Sequence, residues 1–323
     1  MNARISRVRV AATAAAVAGA LTLTACGGTT DDGADGAAEG GDKGAKVSVT
    51  DATGKKVEVP ESPKRVLALS EMDLDSSLAL GVKPVGLTAG RGQQGAPAYL
   101  AEQAAGIPVV GAVTGPDIEK VVEAKPDVIL AGQMADEQVL EQLRAIAPTV
   151  VTIDDTKNWK KALEITGQVL GAENEAKTFL SDYDAKVEAL EGKLGDKAGA
   201  EVSVARYSPK GTAVMQQGVF ISDVLNDLGF KRPGIQKEKG EGHSTPLSDE
   251  NLSEIDGDWL FIGTLTPADG TLLDELQAKP AFAQLDAVKS DSVTEIDGSK
   301  WTSLGGALAA VSVLEDIEKA MAE

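Results

Sequence analysis

A stretch from residue 159 to about 194 fixes the plan of this chain more than any other segment. Residues suited to burial recur there at three- and four-residue spacing, at Leu163, Thr166, Val169 and Leu170 and then at Phe179, Tyr183, Val187 and Leu190. That period belongs to a helix with one buried stripe. Read as one helix, the stretch makes roughly ten turns, about 50 Å, which is longer than one small domain. Gly171 interrupts it, so two ordinary helices broken at that glycine satisfy the pattern equally well. In either form the stretch separates two halves.

Each half alternates short β-rich runs with helical ones. Upstream, 46–50 and 57–59 flank an Asp51-Ala52-Thr53-Gly54 turn as a hairpin. The pattern then predicts strands over 65–69, 82–88, 127–131 and 149–153, and helices over 72–80, 117–125 and 137–146. Downstream it predicts strands over 202–206, 259–262 and 293–296. Helices fall at 219–228, between 272 and 285, and from 304 to 321. Such alternation implies parallel sheets in an α/β layer architecture. The expected fold is two Rossmann-like lobes, 46–157 and 196–323, joined by one long helix over 158–195 with a ligand cleft between them.

An internal echo supports two equivalent lobes. Residues 117–130 (DIEKVVEAKPDVIL) and 248–261 (SDENLSEIDGDWLF) align without a gap at an offset of 131. The register pairs Glu119 with Glu250, Val121 with Leu252, Glu123 with Glu254 and Asp127 with Asp258. Each copy is an acidic helix start, one short helix, a Pro or Gly stop, and an aspartate entering a hydrophobic strand. Acidic residues favour any helix N-terminus, so chance similarity is the competing explanation. The register across fourteen positions favours repetition.

The N-terminus is of a different kind. Arg4, Arg7 and Arg9 precede an uncharged run from Val10 to Leu23, and Leu23-Thr24-Ala25-Cys26 follows. A basic start, a short apolar stretch and small residues describe a secretory leader over 1–25. The run is too short to stay in a bilayer as a spanning helix. Its ending resembles the lipobox of bacterial lipoproteins, which makes Cys26 the lipidated residue. It is the only cysteine, so disulfides and thiolate metal sites are excluded. Residues 26–45 are Gly, Ala, Asp and Thr with little apolar content, and read as a lipid-anchored flexible tether.

The leader holds three arginines and no acid, so its removal takes the net charge from −19 to −22. Such a chain repels nucleic acid and anionic headgroups, leaving acyl chains to hold it at the extracytoplasmic face of the cell membrane.

Two lobes, a connecting helix, an anchor and no catalytic grouping resemble the iron-siderophore-binding lipoproteins of ABC importers. The matching segments are 62–69 (SPKRVLAL), 78–86 (LALGVKPVG), 123–129 (EAKPDVI), 146–150 (IAPTV) and 220–230 (FISDVLNDLGF), in the family's order. The resemblance implies a monomer that binds a ferric siderophore and docks on a permease dimer. It places one docking glutamate on each lobe, at Glu119 and Glu250, the pair the repeat also singles out. The expected ligand residues lie at strand ends facing the cleft: Arg91, Met134, Arg206, Tyr207, His243, Trp301 and, further off, Tyr99. Arginine donates to the oxygens of a ferric chelate and keeps its charge, while aromatics cover its apolar rim. Arg206, in 204–209 (VARYSP), is the leading candidate. Only five arginines remain beyond the leader, too few for a triply anionic catecholate, which tilts the expectation toward hydroxamates.

Other functions fit less well. Direct capture of zinc or manganese needs several imidazoles and carboxylates, and His243 is the only histidine. Haem or corrinoid capture by the same architecture stays open, as does a structural surface lipoprotein. Residues 90–95 (GRGQQG) spell a dinucleotide fingerprint, but Ala96-Pro97 follows where a helix should open. No Gly-x-Ser-x-Gly or Ser-x-x-Lys marks an acyl-transfer enzyme. Neither catalysis nor a resident cofactor is expected.

Overall fold

The computed structural model describes residues 45–240, 242–265 and 270–322. The leader, Cys26 and the tether up to Gly44 lie outside the described residues.

Order begins with the expected hairpin. Strands β1 (Lys46–Thr50) and β2 (Lys56–Pro60) pair antiparallel, with Val49 opposite Val57. Asp51 Oδ1 holds the turn by accepting from the Thr53 and Lys55 amides at 2.8 and 2.9 Å. Gly54 supplies the φ of +85° that a side chain resists.

The first lobe continues through β3 (Val66–Ala68), α1 (Glu71–Ala79), β4 (Gly86–Ala89), β5 (Val109–Ala112), β6 (Gly115–Pro116), α2 (Ile118–Ala124), β7 (Val128–Leu130), α3 (Glu137–Arg144) and β8 (Thr149–Val150). The sheet runs β6-β5-β4-β3-β7-β8 and is parallel except for the short edge strand β6. From β3 the chain winds outward through β4 and β5, then returns to the other side at β7. The order therefore reverses between β3 and β7, where open α/β sheets present a crevice beyond their carboxyl ends.

Helices α4 (Trp159–Leu170) and α5 (Glu173–Leu194) follow. The continuous ten-turn helix is not formed. Gly171 takes φ +65° and caps α4 in the left-handed conformation, a usual way for a helix to end. The 22 residues of α5 alone extend about 33 Å. Its stripe buries Tyr183, Val187, Leu190 and Leu194, as the spacing requires.

The second lobe comprises β9 (Val202–Ser208), β10 (Gly211–Val214), α6 (Phe220–Asp227), β11 (Trp259–Thr264), α7 (Gly270–Gln277), α8 (Asp286–Lys289), β12 (Val293–Asp297), α9 (Gly298–Trp301) and α10 (Ala307–Ile317). Its sheet runs β10-β9-β11-β12, with the last three parallel. The trio β9-β11-β12 repeats the arrangement β3-β7-β8 of the first lobe.

The repeated aspartates do equivalent work. Asp127 accepts from the Lys64 and Arg65 amides at 2.7 and 2.9 Å, just before β3. Asp258 accepts from the Glu201 amide at 2.8 Å, just before β9. One detail differs between the copies. The second copy's helix is a 3₁₀ turn over Asp249–Ile255, with Leu252 and Ile255 both buried.

The largest buried cluster crosses from lobe to lobe. It holds Met72 and Leu80 of α1, Trp159, Leu163 and Tyr183 of α4 and α5, and Phe220, Phe261, Trp301 and Leu314 of the second half. Trp159 meets Tyr183 edge-on at 4.8 Å. No helix among the described residues is long and apolar enough to cross a membrane.

Candidate ligand-binding cleft

The carboxyl ends of β3, β4 and β7 frame a cavity of about 190 Å³, lined by Ser70, Glu71, Arg91, Gln133 and Met134 of the first lobe and by Leu304 of the second. Its position is the switch point of the six-stranded sheet. A wider depression of about 540 Å³ lies beside the hairpin, lined by residues such as Lys56, Glu58 and Arg144. It lies at the hairpin turn and the entry to β8, away from the carboxyl ends of the parallel strands, and we do not assign it a ligand.

Glu71 is the first residue of α1, directly after its N-cap Ser70, and is only 4% exposed. Its Oε1 accepts from the Arg91 amide at 2.6 Å. Its Oε2 accepts from the Ser303 hydroxyl at 2.6 Å and the Leu304 amide at 3.2 Å, both in the other lobe. Gly90 allows the approach, since a Cβ there would lie 3.1 Å from Oε1. The same loop reaches the other lobe once more, through Gln93 Nε2 donating to Leu265 O at 2.8 Å.

Arg206 enters from β9. Its Nη1 donates to Thr302 O at 3.1 Å. Its pKa is lowered, by burial first and then by the like charge of Arg91. The two guanidiniums, one from each lobe, thus act on each other across the cleft. The other three arginines beyond the leader are engaged elsewhere. Arg65 donates to the carbonyls that end α2, Arg144 pairs with Glu137, and Arg232 is buried with Gln236.

The structure brings Arg91 and Met134 into one cavity, with Arg206 outside its lining but bonded to Thr302 O nearby, and sets the remaining ligand candidates elsewhere. Tyr207 follows Arg206 on a strand, so its side chain points to the opposite face of the sheet. It sits there in the core with Leu252 and Leu273, under the Lys279 ammonium. Trp301 is fully buried, stacked on Phe261 at 4.6 Å, and its Nε1 donates to Asp316 at 2.7 Å. It is a core residue whose ring has no face on the cleft; the turn after it, 302–304, is what reaches the cavity.

Tyr99 donates to Asp75 Oδ2 at 2.8 Å and lines a separate depression with Phe179 and Leu308. His243 is exposed, with Nδ1 2.8 Å from Ser244 O, and does not line the cleft. The glycine-rich loop 90–95 is a turn, with no helix opening on it. Glu119 and Glu250 are exposed, each the second residue of its helical turn.

Glu71, Ser303 and Leu304 escaped the sequence reading. The available signal was Glu71, Asp73 and Asp75 at alternate positions of a helix start, a density of acid unusual so close to a buried strand. Asp75 proves to be a second tie between lobes, accepting from the Leu308 and Ala309 amides at 2.8 and 3.0 Å where α10 begins. Burial pushes Asp73 and Asp75 up to about 6, even with these donors around them. Among the described residues no cluster of His, Cys, Asp and Glu could hold a bare metal ion.

Comparison with known proteins bears on what the cleft holds. A family described as periplasmic binding protein matches residues 69–299. The probable siderophore-binding lipoprotein YfiY of Bacillus subtilis is 34% identical over 283 residues, covering 84% of this chain and 86% of that one. The achromobactin-binding periplasmic protein of Dickeya dadantii is 28% identical, covering 80% of this chain and 86% of that one. The structure of SirA from Staphylococcus aureus, complexed with staphyloferrin B, superposes with a TM-score of 0.74 at 30% identity, covering 85% of this chain and 98% of that one.

Proposed function

Because the chain belongs to the periplasmic binding protein family, we propose that it captures a ferric siderophore outside the cell membrane and delivers it to an ABC importer. The observation that carries this is a cavity at the sheet's switch point that Arg91 enters from one lobe and Leu304 from the other, with Arg206 held two residues from Leu304 by its bond to Thr302 O. A guanidinium carries N–H donors and no acceptor, so Arg91, with Arg206 nearby, suits an oxygen-rich chelate. The similarity to proteins named for siderophores supports the same cargo.

Arg91 and the buried carboxylate Glu71 balance each other on the cavity's lining, and Arg206 adds one positive charge nearby. A neutral or weakly charged complex fits that balance, which keeps a ferric hydroxamate as the favoured class. Among the described residues the cleft offers hydrogen-bond donors for holding a ligand, and binding and release is the action we assign to it. Lipidation at Cys26 would hold the monomer near its permease, with Glu119 and Glu250 as the two contacts that set its register.

Titration with ferrioxamine, ferrichrome, ferric catecholates, haem and cobalamin, read by tryptophan fluorescence, tests the reading. Trp301 lies one residue from the Thr302 carbonyl that holds Arg206, so a ligand on Arg206 should change its emission. A response to a ferric siderophore is expected. A response to haem or cobalamin alone, or to none of the panel, overturns it.

A further inference from the structure

The two arginines are not independent. From Arg206 the contacts run through Thr302 O to the turn 302–304, from Ser303 and Leu304 to Glu71, and from Glu71 to the Arg91 amide. One carboxylate thus grips both arms of the cleft with three donors, and it does so from the N-terminus of α1, whose dipole favours a negative charge there. Without it, the Arg91 loop and the turn 302–304 would lose the carboxylate that both of them bind.

We propose that Glu71 is the positioning residue for cargo capture, a clasp between lobes that sets the spacing of Arg91 and Arg206 before the ligand arrives. The proposal rests on the reading that these two arginines contact the ligand. Its physical basis is preorganisation: arms already held at the right separation need no ordering when the ligand binds. It also predicts a dependence that burial alone does not. Glu71 should matter to affinity only while the arginines it positions are present.

The test is a double-mutant cycle on the full chain, measured with the tightest-binding chelate of the panel above. Glu71→Gln keeps the size of the side chain but gives it one accepting oxygen where two are needed. It should weaken binding tenfold or more in the parent and less than threefold where Arg91→Gln and Arg206→Gln are both present. Equal losses in both backgrounds, or no loss in the parent, overturn the clasp. If Arg91→Gln and Arg206→Gln leave affinity unchanged, the arginine reading itself fails, and the clasp's role in capture fails with it.

A ligand-free measurement separates the two. In the unliganded Glu71→Gln protein, amide exchange at Arg91 or Leu304 should speed up at least tenfold while β3 stays protected; unchanged exchange at both overturns the clasp whatever the ligand does. Should that variant not fold, Ser303→Ala removes one donor from the second lobe. It should weaken binding in a manner non-additive with Arg206→Gln, and strict additivity counts against the proposal.

Discussion

Asp127 and Asp258, 131 positions apart, perform one task in two places: each accepts the backbone N–H that precedes the first strand of its own parallel trio. The echo in the sequence is therefore structural, and its aspartates fix where β3 and β9 begin beside β7 and β11. Asp127 takes two amides and Asp258 one. At about 1 kcal/mol per hydrogen bond, Asp127→Ala should cost about 2 kcal/mol and Asp258→Ala about 1 kcal/mol. Urea denaturation measures both, and the reverse ranking would contradict the assignment.

The cleft makes a sharper prediction about aromatic residues. Arg206→Gln should weaken the ferric ligand at least tenfold, consistent with losing charge-assisted hydrogen bonds worth about 1.5–3 kcal/mol. Tyr207→Phe, its neighbour in sequence, should leave affinity within about twofold, because its ring lies on the other face of the sheet. Calorimetric titration of both variants checks the pair. A large effect of Tyr207→Phe would mean that the cleft reaches through the sheet.

The paired glutamates call for a transport measurement. Glu119→Lys with Glu250→Lys should abolish uptake in cells while ligand affinity in solution is unchanged. Both residues are exposed and outside the cleft, so a loss of affinity would contradict their role as permease contacts.

Asp73 and Asp75 set a pH dependence. Burial raises both carboxyls to about 6, so each binds its proton more tightly folded than unfolded. Their contribution to stability falls as pH rises from about 4, near the unfolded carboxyl value, to about 6, and is level above that. The urea midpoint should therefore be higher at pH 5.5 than at pH 7.5. In Asp75→Ala the gain on acidification should shrink.

Much of this architecture is legible in the chain. The hairpin, α1, α2 and the strands β3, β7, β9, β11 and β12 announce themselves through apolar runs, turn residues and caps. Strands β5, β6 and β10 do not. They are two to four residues long, rich in glycine or closed by proline, and depend on a neighbouring strand for their shape. The break at Gly171 was readable as an alternative, and its positive φ decides between the two forms. In the cleft, Arg91 and Met134 could be placed because they follow strands, whereas Arg206 lies within β9 and outside the cavity's lining. Trp301 could not be told from a cleft aromatic, since burial by Phe261 and Asp316 comes from segments distant in the chain. Glu71 was hidden for the same reason: its worth lies in Ser303 and Leu304, more than 200 residues away.

The buried cluster that passes from α1 through Trp159 and Tyr183 into Phe220 and Trp301 has a consequence for how the molecule comes apart. What looks in sequence like two copies of one unit has lost the ability to exist as two. Heat or urea should melt both halves in a single transition, and neither half would persist if the other were cut away. The shared interior makes the two repeated halves one cooperative body.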